Sequence, residues 1–174
     1  MNTIKRIGLG CFIMMFAAQL FAQMPQFNLV ENGDFTKGKA GWETKGKIVK
    51  LKEGKEATDG DPALMIELDK KKEQTFSQLF KIPKGVGFIK IRFQVRTSDD
   101  FEMASSQPME VTMWGGNAHF DALVHHEKLE RSTEWQERWV STDATTEKVG
   151  IQVTLKPGKG KVYFDNFVSE IKAN

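Results

Sequence analysis

Residues 28–42 read NLVENGDFTKGKAGW, and the architecture turns on how this stretch is read. Asn28 to Val30 has the character of a short strand. It stops at Asn32-Gly33, a dipeptide that tolerates positive φ and marks a turn. Phe35 supplies one large apolar anchor, and Gly38 and Gly41 let the chain bend before a buried Trp42. Near the other end, residues 162–171 read VYFDNFVSEI, a second strand with an acid in its middle. These two ends are expected to lie side by side and to close one β-sandwich.

The chain between them alternates strands with turns. Phe88 to Thr97 is the clearest strand: Ile89, Ile91, Phe93 and Val95 point one way, and Lys90, Arg92, Gln94 and Arg96 the other. That period of two belongs to pleated chain. Further strands are expected over 47–52, 63–68, 76–82, 109–114, 122–130, 135–141 and 148–155. Polar or Gly/Pro stretches separate them, among them 53–61, Pro83-Lys84-Gly85, Gly115-Gly116 and Pro157 to Gly160. No segment carries the i, i+3, i+4, i+7 apolar stripe of an amphipathic helix. About ten strands at this spacing predict an all-β sandwich or barrel, with enough strands for two antiparallel sheets.

Composition narrows the function. Lys5 and Arg6 precede an apolar run over residues 7–21, shorter than the ~20 apolar residues a spanning helix needs. Residues 1–22 therefore read as a cleaved signal peptide ending at Ala22, and 23–174 as one exported domain. Cys11 fits lipid attachment poorly, because Gly8 stands where a leucine-type residue is expected and the apolar run continues past it. Lys5 and Arg6 account for the whole formal charge of +2, so the expected domain is neutral. A nucleic-acid binder carries a marked basic excess, so that class is excluded. The single cysteine lies in the leader, and the domain therefore depends on no disulfide.

With these residues in view, the chain resembles the family 4/9 carbohydrate-binding modules of the galactose-binding-domain-like jelly-roll group. The resemblance is carried by Asn28-Leu29, Asn32-Gly33, Phe35 and Gly41-Trp42 at the start. Gln78-Leu79, Pro83-Lys84-Gly85 and Ile89 to Arg96 follow, then Thr133-Glu134-Trp135, and last Tyr163-Phe164-Asp165-Asn166-Phe167. It implies a jelly-roll β-sandwich and binding of a poly- or oligosaccharide. It also implies a structural Ca²⁺ where the first and last strands meet, with Asp165 as the C-terminal acid. Thr36 stands where the family commonly has Glu, so Asp34 or Glu31 would have to substitute as ligands. Such modules usually sit beside a glycoside hydrolase, so a monomeric chain of this kind is expected either to work alone or to partner a separate hydrolase or a surface complex.

A sugar site needs an aromatic plate for the apolar ring face and planar polar groups for the hydroxyls. Trp114 is the expected plate. Arg92, Gln94, Arg96, Thr112 and Gln152 are the expected polar groups, on neighbouring strands that form one shallow cleft. Trp42 and Trp135 match core positions in the family, and Trp139 shares the parity of Trp135, which favours burial. His119, His125 and His126 lack zinc spacing. Asp59, Asp61, Asp99 and Asp100 lie in loops rather than as the facing pair of a glycosidase, and an enzyme is not expected. The alternatives are an exported structural or protein-interaction domain and a small hydrolase.

Overall fold

In the computed structural model, which describes residues 28–51, 62–103, 105–115, 123–127, 129–144 and 147–173, the period of two becomes twelve strands. They are β1 (Glu43–Thr44), β2 (Lys47–Lys50), β3 (Pro62–Glu67), β4 (Gln74–Lys81), β5 (Val86–Thr97) and β6 (Glu102–Met103). β7 (Met109–Gly115), β8 (Leu123–Glu127), β9 (Gln136–Asp143), β10 (Lys148–Leu155), β11 (Gly158–Lys159) and β12 (Lys161–Ala173) complete them. No helix occurs among the described residues. Residues 1–22, the loop at Asp59 and Asp61, and His119 lie outside the described residues.

Two five-stranded antiparallel sheets form the sandwich. One runs β1-β4-β10-β7-β8 and the other β2-β3-β12-β5-β9; β6 and β11 make a small ribbon apart from both. We name the large sheets after their central strands, β10 and β12. From the β10 sheet, Phe76, Phe80, Met109, Val111, Met113, Val149, Ile151, Val153 and Leu155 turn inward and are buried. Leu64, Ile66, Ile89, Ile91, Phe93, Val95, Val140, Val162 and Phe164 answer them from the β12 sheet. The all-β, two-sheet expectation holds, and the inward sets expected for β5, β7 and β10 are the buried ones.

The two ends do meet, but Asn28 to Val30 is not a strand. The Asn28 side chain takes the backbone: its Oδ1 accepts from Val30 N at 3.1 Å, a local turn that competes with a ladder. The same Oδ1 accepts from Ser169 N at 3.0 Å, and Leu29 N donates to Ser169 Oγ at 2.6 Å. Phe167 N then donates to Gly33 O at 3.0 Å. Side chains and single backbone bonds thus replace the expected ladder. On the opposite side, Gln78 of β4 is only 3% exposed. Its Oε1 accepts from Glu31 N, and its Nε2 donates to Glu31 O, each at 2.8 Å. Residues 28–33 are thereby tied to both sheets.

The expected uninterrupted strand at 162–171 carries a β-bulge. Asp165 pairs with Gln94, and Val168 with Arg92, so three steps of β12 face two of β5. Asn166 takes up the extra residue at φ 52°. The bulge reverses the phase, so that Phe164 and Phe167, three apart, both enter the core. Phe167 stacks on Phe93 at 4.9 Å with planes 9° apart, and also lies 4.9 Å from Trp42. Phe35 joins at 5.5 Å from Trp42, fully buried although its φ is +54°. A bulky residue in that region is strained, and burial of the ring offsets the strain. Trp42 Nε1 donates to Asn32 O at 3.1 Å, so the deep indole keeps a partner.

Phe167→Ala should lower unfolding free energy by about 3–5 kcal/mol, as for other buried aromatics. Gly33→Ala should also destabilise severely, because a Cβ there would lie 2.0 Å from the Phe167 carbonyl oxygen. Urea denaturation of the two variants checks both.

Candidate functional site

Outward residues of the sandwich belong to two separate faces. On the β10 sheet, β7 presents Glu110, Thr112 and Trp114, each half-buried, between the buried Met109, Val111 and Met113. β10 presents Gly150, Gln152 and Thr154, and β4 presents Thr75, Ser77 and Leu79. Register arranges them in rows: Leu79, Gly150, Trp114; then Ser77, Gln152, Thr112; then Thr75, Thr154, Glu110.

Gly150 explains how Trp114 sits. A Cβ at position 150 would fall 2.2 Å from the indole Cζ2, 2.3 Å from Cε2 and 2.7 Å from Cη2. The six-membered edge of the indole therefore lies across the β10 backbone, in the space a side chain would fill. Glycine inside a strand weakens it, and its presence marks a close approach of this kind. Leu79, next in the row, is 56% exposed and extends the apolar strip across a third strand.

Beside that strip is a polar cleft of about 480 Å³, lined by residues that include Glu43, Lys72, Gln74, Thr75, Ser77 and Gln152. Gln152 Nε2 donates to Thr154 Oγ1 at 3.2 Å, which orients its amide along β10. At the far end Lys156 Nζ contacts Glu73 and Glu110, each at 2.9 Å. The hydrogen bond to Glu73, and next that to Glu110, raises the Lys156 amine above its ordinary range.

Arg92, Gln94 and Arg96 do not share this face. β5 belongs to the β12 sheet, so the expected single cleft is divided between opposite sides of the molecule. Along β5, sequence alternation told inward from outward correctly but carried no record of which sheet the strand joins. Arg96 is 4% exposed, held between Trp135 at 5.2 Å and Tyr163 at 4.6 Å, and donates to Thr133 O at 3.3 Å. It fixes the turn before β9 and lies too deep to meet a ligand. Gln94 Oε1 accepts from Asn166 Nδ2 at 3.2 Å, across the bulge. Arg92 is ion-paired with Glu137 at 3.2 Å and Glu170 at 2.6 Å. Trp42 is in the core as expected. Trp135 instead lies against Arg96 on the outer side, and Trp139, expected to be buried, is 53% exposed. The shared parity was right, but the side it pointed to was the outer one, since Trp139 pairs with outward Arg92.

The acidic residues expected to hold calcium are occupied locally. Asp165 is 1% exposed, and its Oδ1 accepts from Asn166 N at 2.7 Å inside the bulge. Asp34 Oδ1 accepts from Thr36 N at 3.2 Å and Thr36 Oγ1 at 3.0 Å. Glu31 is exposed, and its backbone is held by Gln78. Among the described residues no three His, Cys, Asp or Glu side chains converge as a metal site. His125 and His126 stand in β8 at register with Val111 and Glu110. Of the two neighbouring acids, Asp100 accepts from Ser98 Oγ at 2.7 Å, which holds its carboxyl below the ordinary range. A glycosidase acid needs the opposite shift.

Comparison with known proteins places this geometry. No family model matches the chain, and no curated protein matches it. Solved structures do. The CBM61 module TmCBM61, solved with β-1,4-galactotriose, is similar over 84% of this chain and 99% of its own, at 18% identity and TM-score 0.63. The CBM22-1 xylan-binding domain from Paenibacillus barcinonensis is similar over 88% and 99%, at 12% identity and TM-score 0.59. The fold is the jelly roll of carbohydrate-binding modules. Modules of families 16 and 4 share it as well. The enzymatically active domain of the bacteriophage CBA120 tailspike protein 4 also matches at TM-score 0.64 and 9% identity, over 21% of its length. These identities speak for the fold alone.

Glu43, Ser77, Leu79 and Gly150 are the site residues that reading the sequence missed. Gly150 had a signal, a lone glycine among Val149, Ile151 and Val153.

Gly150→Ala should leave the sandwich folded and displace the Trp114 indole, read as a changed indole environment in near-UV circular dichroism with unchanged far-UV signal. The Lys156 contacts make a second prediction. A raised amine contributes stability that is complete below its unfolded pKa and is lost as pH rises through the folded one. The Tm gap between wild type and Lys156→Met should therefore persist up to about pH 10 and close only as pH rises beyond the ordinary lysine range.

Proposed function

We propose that this chain is an exported, non-catalytic glycan-binding module that seats a saccharide on the outer face of the β10 sheet. The observation that carries the proposal is the Trp114 indole laid across Gly150. An indole held along a sheet gives a flat, electron-rich surface for the C–H face of a sugar ring. A rigid aromatic loses little entropy on contact, so the stacking gain is kept. Leu79 lengthens the apolar strip. Thr112, Gln152, Ser77 and Glu43, in the neighbouring row, supply donors and acceptors for hydroxyls. The Gln152 amide, oriented by its bond to Thr154 Oγ1, presents its polar atoms in a set direction, which favours selectivity among hydroxyl patterns.

The partner is a poly- or oligosaccharide. The fold's occurrence in modules whose structures are described with galactotriose and as xylan-binding supports that class. Export rests on the signal-like leader, and a separate glycoside hydrolase or surface complex is the proposed setting. Retention of the purified domain in gels containing β-1,4-galactan or xylan tests the proposal. Trp114→Ala should weaken retention by more than about tenfold, the loss typical of a central aromatic anchor. Unchanged retention would remove Trp114 from the site.

Calcium is a separate proposal, drawing on Asp165 with Asp34 or Glu31 and carbonyl oxygens of the 28–36 segment. A bound ion stabilises only the native state. EDTA should then lower Tm, and an unchanged Tm would dismiss the ion.

A further inference from the structure

We infer that the outer face of the β12 sheet is a second saccharide-binding surface, centred on Trp139 and independent of Trp114. Trp139 is 53% exposed, and Val168, on the far side of Arg92 in the same row, is 36% exposed. The indole is oriented: Lys90 Nζ lies 5.0 Å from its ring centroid, a cation–π contact that restricts the ring. Between Val168 and Trp139, Arg92 is fixed by Glu137 from β9 and Glu170 from β12, at 3.2 and 2.6 Å. A guanidinium carries five N–H donors, so two ion pairs leave donors over, and the Glu137 carboxylate keeps a second oxygen. Glu137 and Trp139 alternate along β9 on the same face as Arg92 and Gln94.

This is the combination a sugar ring needs: one restrained aromatic plate with planar donors and acceptors at fixed positions beside it. The charge balance selects the partner. Around Trp139, Lys90 and Arg92 are matched by Glu137 and Glu170, and in the Phe88 row Lys172 is matched by Asp143, so this part of the face has no basic excess for a polyanion. The core of a protein interface is depleted of charge, whereas four charged groups here surround one indole and one valine. A neutral saccharide, with an apolar face and uncharged hydroxyls, fits both facts. Because β9 and β5 lie in the sheet opposite β7 and β10, one chain would hold two glycan strands on opposite sides and link them.

The test uses the indole N–H resonances of the ¹⁵N-labelled domain, assigned through Trp139→Ala and Trp114→Ala. The probes are β-1,4-galactotriose, xylohexaose and cellohexaose. We expect the Trp139 resonance to shift along a saturable curve with at least one probe. We expect the same curve within about twofold in Trp114→Ala, as for distant independent sites. Glu137→Gln, which leaves the indole in place, should weaken that curve severalfold. Wild type should aggregate the matching soluble polysaccharide, and Trp139→Ala should not. A fixed Trp139 resonance while Trp114 moves overturns this inference and leaves the first face standing. A moving Trp139 with a fixed Trp114 does the reverse, and no movement of either ends both. Loss of the Trp139 shift in Trp114→Ala would mean one shared site, and would also overturn it.

Discussion

A short non-strand segment gripped from two sides organises this molecule. Gln78 of the β10 sheet holds both backbone groups of Glu31, and Phe167 and Ser169 of the β12 sheet hold Gly33 and Leu29. A buried amide that mimics a strand partner satisfies backbone groups that would otherwise be desolvated and unpaired. The grip works only because Gly33 has no side chain, since its Cα lies against the Phe167 carbonyl. With the segment in place, Phe35 and Trp42 reach Phe167, and the aromatic cluster seals that end of the sandwich.

The β12 bulge belongs to the same device. Without its extra residue, Phe167 would point outward and Phe93 would lose its stacked neighbour. Bulges re-aim side chains, and here the re-aimed one is the ring on which the N-terminal segment rests. Asn166, at the left-handed position, also reaches Gln94 across the bulge. One local irregularity therefore serves core packing on the inside and orders polar groups on the outside.

The two outer faces use their side chains differently. Around Trp114 the neighbours are short and mostly uncharged, with a glycine left under the indole. Around Arg92 and Arg96 long cations are tied down by carboxylates and aromatic rings. Planar groups held by several partners are rigid, and rigidity on a β scaffold is what precise recognition requires. The deep stacking of Arg96 takes it out of recognition and gives it to the turn at Thr133.

Most longer strands, the inward sets of β5, β7 and β10, and the meeting of the two ends were legible in the sequence; the short β1, β6 and β11 and the β12 bulge were not. Period-two alternation is a local property, and burial of one face enforces it strand by strand. Trp114, Thr112 and Gln152 were found together because β7 and β10 pair directly. Arg92, Gln94 and Arg96 were wrongly grouped on one face with Trp114, because sheet membership is a long-range choice. β5 pairs with β12 and β9, and nothing within its own twelve residues says so. The acids expected at a calcium site also take part in local turn chemistry: Thr36 N donates to Asp34 and Asn166 N to Asp165. Local alternation and turn chemistry therefore determined what each strand buries. Only the tertiary structure decided which outward residues face a common ligand, because that depends on pairings between segments far apart in the chain.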